Sequence, residues 1–222
     1  MPVTSPPDSS TVSAPCLPRR TDTPGTELEL LILSVDRDHV AAVDLASGAL
    51  VRAWSPGRVD GRLRTYDVVA GTLDADDDRV PDPSEPEAIA LAGPPEWIGR
   101  LSGRRVQRYL RPLVHPSDQP LLGAHAPAVP FWERKADHPS IAVVEPEGAA
   151  VVARRGRRLD CWFGWKGVTV QMPFVDSRVS RGMLRTGRLR LATGRGDRLL
   201  VALTPPINGH CHKVVSGLLP RP

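Results

Sequence analysis

Short apolar runs broken by polar turns set the pattern of the chain from Glu27 onward. Glu27 to Val35 is a mostly apolar run closed by Asp36-Arg37-Asp38, and His39 to Asp44 and Ala49 to Trp54 flank the turn Ala46-Ser47-Gly48. Runs of this length, bounded by turn residues, predict strands. Further strands are expected at Arg62 to Leu73, Ala88 to Ala92, Ile141 to Glu145, Ala149 to Arg154, Leu159 to Trp165, Val168 to Met172, Arg188 to Ala192 and Arg198 to Leu203. Lys166-Gly167 has the length of a two-residue hairpin turn. In Arg188-Leu189-Arg190-Leu191 the period of two predicts arginines on one face and leucines on the other, and the leucines join Leu199, Val201 and Leu203 in one buried hairpin.

A helical period appears once, within Trp97 to Leu113, where Leu101, Val106, Tyr109, Leu110 and Leu113 recur on one side and Ser102 stands as N-cap. Residues 114 to 139 contain five prolines and no period, as an extended crossing segment would. His212 to Leu219 reads as a short helix broken by Gly217. The fold class that follows is mostly β: two β-rich halves, meander, sandwich or barrel-like, around one central α-helix, behind a disordered N-terminal tail. By residue, these are a Ser/Thr/Pro-rich tail at 1–26, an acidic β-rich half at 27–95, the helix and crossing segment at 96–138, and a basic β-rich half at 139–222. Ala41 to Val51 faintly echoes Ala142 to Val151, as a duplicated β unit would.

Composition narrows the class. The chain is 222 residues with 41% apolar and 24% charged residues, enough for a sizeable core. No apolar run approaches the roughly 20 residues of a membrane-spanning helix, and the first residues lack the pattern of a secretory signal. The three cysteines, Cys16, Cys161 and Cys211, do not make a disulfide framework. A cytoplasmic protein that makes no use of a membrane is expected.

Charge changes the picture more. Residues 1–96 carry 8 basic and 17 acidic side chains, and residues 97–222 carry 21 and 8, so a net charge of −9 faces one of +13. Only three of the 29 basic residues are lysine, which is codon supply as much as chemistry, but codon supply does not segregate acids from bases. Three basic groups stand out. Arg100, Arg104, Arg108 and Arg111, with Arg105 beside them, form a stripe if helical; Arg154, Arg155, Arg157 and Arg158 surround Gly156; Arg188 and Arg190 close a third group that begins at Arg178. Clustered arginines displace the counterions condensed on a nucleic acid, and Trp132, Trp162 or Trp165 would offer stacking platforms where exposed. Trp162 and Trp165, three apart in a strand, must face opposite ways.

The function expected is therefore a non-enzymatic binding or adaptor protein whose basic face meets DNA, RNA or an acidic protein surface. Two alternatives differ in class. His210, Cys211 and His212 are good zinc ligands, so a metalloprotein or enzyme would use this cluster, completed by Cys161, His125 or His138. Extended backbone would turn the thiol away from both imidazoles. An assembly subunit would instead pair the acidic half of one copy with the basic half of another. Asp74 to Asp78 lacks the calcium-loop pattern, Gly194-Arg195-Gly196 lacks a phosphate loop's lysine, and no nucleophile or dinucleotide motif points to catalysis.

Overall fold

The computed structural model describes residues 23, 25–36, 39–57, 59, 61–74, 82, 84–134 and 138–222. The expected tail up to Asp22 and the acidic loop beyond Asp74 lie outside them. Fourteen strands and two α-helices follow in chain order among the described residues. The first six are β1 (Glu27–Asp36), β2 (His39–Asp44), β3 (Leu50–Trp54), β4 (Asp67–Thr72), β5 (Ala88–Ala90) and β6 (Glu96–Arg100). Helix α1 (Gly103–Leu110) comes next, then β7 (Ala128–Pro130), β8 (Ile141–Val144), β9 (Val151–Arg155), β10 (Arg158–Trp165) and β11 (Val168–Pro173). The chain closes with α2 (Ser177–Arg185), β12 (Arg190–Ala192), β13 (Arg198–Leu203) and β14 (His210–Leu219). The protein is mostly β, and its sheets curl as a half-barrel.

Three sheets share these strands: β5-β3-β2-β1-β4-β6, β11-β10-β9-β12 and β7-β14-β13-β8. The third is the middle layer. Ala142, Val144, Leu199, Val201, Leu203, Cys211 and Val215 pack toward the β9–β12 sheet, while Ile141, Val143, Leu200, Ala202, Val214 and Leu219 pack toward β1 and α1. That is why Leu199-Leu200-Val201-Ala202-Leu203 is apolar at every position: a strand covered on both faces has no solvent register. The outer face of the six-stranded sheet closes a further core with Leu30, Ile32, Val40, Ala53 and Leu91. Among the described residues no helix is long and apolar enough to cross a membrane.

Local chemistry explains the turns. Asp44 accepts backbone N–H bonds from Ala46 and Ser47, and Gly48 takes φ +73° to turn β2 into β3. Between β10 and β11, Lys166 and Gly167 both take positive φ, at 54° and 72°, the geometry that matches a two-residue turn to strand twist. Ser102 stands at the N-cap of α1, as its sequence predicts, although its hydroxyl makes no capping bond.

Four expectations need correction. Trp97 to Arg100 belongs to an edge strand and not to the helix, which takes Arg100 out of the arginine stripe, while the start at Gly103 is the one the Ser102 N-cap predicts. His212 to Leu219 is strand, not helix: Gly217 sits where β14 passes β1, and a Cβ there would stand 3.1 Å from the Cβ of Ser34. The runs 188–192 and 198–203 do not form one hairpin. β12 pairs with β9 and β13 with β8 and β14, and Leu189 is 68% exposed while Leu199, Val201 and Leu203 are buried. The strand expected from Arg62 starts at Asp67, because the Asp67 carboxylate accepts the Arg64 N–H and holds the preceding residues in a turn. The two echoing segments also part company: β2 and β3 are neighbours in one sheet, whereas β8 and β9 belong to different sheets.

Candidate functional site

The hairpin of β9 and β10 turns through Gly156 at φ +63°, with Arg155 opposite Arg158, Arg154 opposite Leu159 and Ala153 opposite Asp160. Directly opposed residues share a face of the sheet. Arg154 and Leu159 therefore continue the inward register of Val152 and Cys161, past the point where the core ends. Arg155 and Arg158 face outward with Arg190, which lies opposite Ala153. Arg154 N–H donates to the Leu189 carbonyl at 2.9 Å, tying the hairpin to the segment that carries Arg188.

Helix α2 closes the open end. Asp176 caps it, accepting N–H bonds from Arg178 at 2.8 Å and Val179 at 3.0 Å, and Met183 turns into the core. Burial pushes the Asp176 carboxyl above its ordinary pKa against the pull of those bonds and of the Arg178 guanidinium. At the other end the Arg188 N–H returns to the Met183 carbonyl, with Gly187 at φ +64°, which ends the helix and aims the chain at β12.

Between hairpin and helix lies a cleft of about 400 Å³. Leu159, Phe174, Met183 and Leu184 contribute its apolar lining, and Arg154, Arg157, Arg158 and Arg188 its cations. Among the described residues no carboxylate lines it. The arginine–carboxylate pairs among those residues join Arg52 to Glu85, Arg100 to Asp67 and Arg198 to Glu145, and none involves these four. Two basic groups far apart in sequence are thus brought around one opening. A separate opening on the outward sheet face shares Arg158 with the cleft, and there Arg155 and Arg158 stand near Asp160 and Gln171, themselves hydrogen-bonded at 2.8 Å.

The tryptophans divide as the strand period requires. Trp165 is buried and stacks on His115 with ring centroids 6.1 Å apart, and burial holds the His115 imidazole below its ordinary pKa. Trp162 lies half-buried on the outward face that also carries Arg155, Arg158 and Arg190. Trp132 is 69% exposed, edge-on to His210.

The α1 group lies apart from this cleft's lining. Arg104, Arg105, Arg108 and Arg111 are exposed, with Val106 and Leu110 buried on the opposite side of the turn. Arg100 does not join them: it sits in β6, 3.7 Å from the Asp67 carboxylate, and donates to the Thr65 carbonyl. Arg104 lines a second opening with Arg195, Arg198 and Arg221, but Glu145 shares it and Arg198 is already paired there at 3.1 Å.

His210, Cys211 and His212 fall on the first residues of β14, extended. Cys211 is buried in the core and its thiol is pushed up by burial; His210 is held by Trp132 and by the Asn208 carbonyl; His212 is exposed. Cys161, buried on β10, has its thiol pushed up to about 12. Among the described residues no three His, Cys, Asp or Glu side chains gather where a metal ion would bind.

The sequence alone did not reveal the apolar lining. Leu159 looks like a strand residue, Phe174 follows one, and Met183 with Leu184 sit in a helix whose period Gly182 interrupts. The available signals were Asp176 as N-cap and Gly187 as C-terminal stop, eleven residues apart. No family model matches the chain, and neither a curated protein nor a solved structure matches it significantly.

Proposed function

We propose that this protein is a non-enzymatic binding protein of the cytoplasm that engages the phosphate backbone of nucleic acid through the cleft of the β9–β10 hairpin and α2. The observation that carries this reading is the convergence of Arg154, Arg157, Arg158 and Arg188 on one opening that, among the described residues, no carboxylate lines. Exposed arginines paired with acids would be an ordinary solvated surface; these four are left with charge to offer a ligand. Arg155 and Arg190 extend the charge over the neighbouring sheet face, beside half-buried Trp162. The two described thiols, Cys161 and Cys211, are buried and free, which suits a reducing compartment.

Fluorescence anisotropy with mixed-sequence DNA and RNA oligonucleotides, at low and at moderate salt, tests it. Binding is expected at low salt and should weaken steeply as salt rises, because released counterions drive it. Absence of binding at low salt, where the electrostatic contribution is largest, would remove the reading. Binding of polyglutamate with no binding of nucleic acid would move the cleft to an acidic protein partner.

A further inference from the structure

We infer that the cleft between the β9–β10 hairpin and α2 holds one unstacked nucleotide, so that the protein selects single-stranded over duplex nucleic acid. This rests on the nucleic-acid reading and goes beyond it, since contact with phosphates alone needs no pocket.

A phosphate-backbone surface needs only exposed cations, whereas this site places them around a partly apolar recess of about 400 Å³, within the size range of small-ligand pockets. Leu159, Phe174 and Met183 are drawn from three different elements or their flanks, and Phe174 and Met183 are about 5% exposed, so the floor is anchored in the core. Leu184, by contrast, is 59% exposed, an apolar side chain held at the lip of the recess. The guanidinium groups of Arg154, Arg157, Arg158 and Arg188 are complementary to the phosphates that flank a base lodged on this floor. In a duplex the bases are stacked inside and cannot reach such a floor unless flipped, while a single strand turns them out at little cost.

The test uses the full chain and three fluorescent probes of one length: a mixed-sequence single strand, its duplex, and a single strand with abasic sites that keep the phosphates and remove the bases. At fixed low salt the intact single strand should bind about tenfold more tightly than the abasic one, and more tightly than the duplex, because base contacts contribute where phosphates alone do not. Leu184→Lys, at an exposed helix position, leaves the fold intact and adds a cation. It should nevertheless abolish the preference for the intact strand. Equal binding of intact and abasic strands, or tighter and still selective binding by Leu184→Lys, would overturn the inference and leave the backbone-binding function standing. No binding of any probe would overturn both. Displacement of the bound strand by dodecyl phosphate and not by adenosine monophosphate would give the recess to an anionic amphiphile and overturn the inference as well.

Discussion

Lys213 carries an ammonium group into the interior of β14, where it is 4% exposed and donates to the Ala124 carbonyl. Burial lowers its pKa from 10.5 to about 8. Between those two values the unfolded chain holds a proton that the folded one has released, so stability rises with pH across that window, and below about pH 8 the full cost of burying the charge remains. Lys213→Met should therefore be more stable than the natural protein at pH 7 by about 1–2 kcal/mol, the burial cost less the hydrogen bond that Met cannot make. The gain should shrink as pH rises from 8 to 10.5, and parallel thermal melts of the two proteins measure it; a difference independent of pH would contradict a buried ammonium. Nothing in the sequence marks Lys213 as buried, because its neighbours His212 and Val214 leave the strand's inward face ambiguous. The tryptophans were more legible. Period two separates Trp162 from Trp165 whatever the fold, and the structure only had to decide which one faces in.

At the scale of elements, α2 is the piece that makes the cleft, and its N-cap holds it. Asp176→Ala removes the acceptor of two backbone N–H groups and should cost about 1–2 kcal/mol, a fall of a few degrees in melting temperature for a chain of this size. Asp176→Asn keeps an acceptor oxygen and relieves the buried charge, so it should cost less than half as much. Equal destabilisation in both variants would show that the cap does not hold the helix. Single elements such as β1, β2, β10 and β11 were legible because their ends carry turn chemistry that acts locally, as at Lys166-Gly167. Strand partners were not. The leucines of β12 and β13 suggest one hairpin, but Leu189 faces solvent and β13 is apolar at every position from Leu199 to Leu203, as a middle layer demands. His212 to Leu219 misled for a related reason, since a strand covered on both faces loses its period of two and Gly217 resembles a helix breaker until the approach of Ser34 is seen.

Over the whole molecule, the segregation of charge was plain in the sequence, and so was the predominance of β-structure. How the arginines are distributed was not, because the hairpin and the α2–β12 segment come together through long-range contacts, the pairing of β12 with β9 and the shared packing of Met183. That pairing joins two basic groups at the cleft and leaves the α1 group to a separate surface, where Glu145 partly offsets the charge. The slope of log affinity against log salt for a single-stranded oligonucleotide distinguishes the two surfaces. It is measured for the natural protein, for Arg157→Ala with Arg188→Ala, and for Arg105→Ala with Arg108→Ala. The cleft pair should flatten the slope by about 0.7 for each phosphate that is no longer neutralised, so by up to about 1.4, while the α1 pair leaves it nearly unchanged. Equal slopes in all three proteins, or a flattening confined to the α1 pair, would contradict a cleft that binds the nucleic-acid backbone.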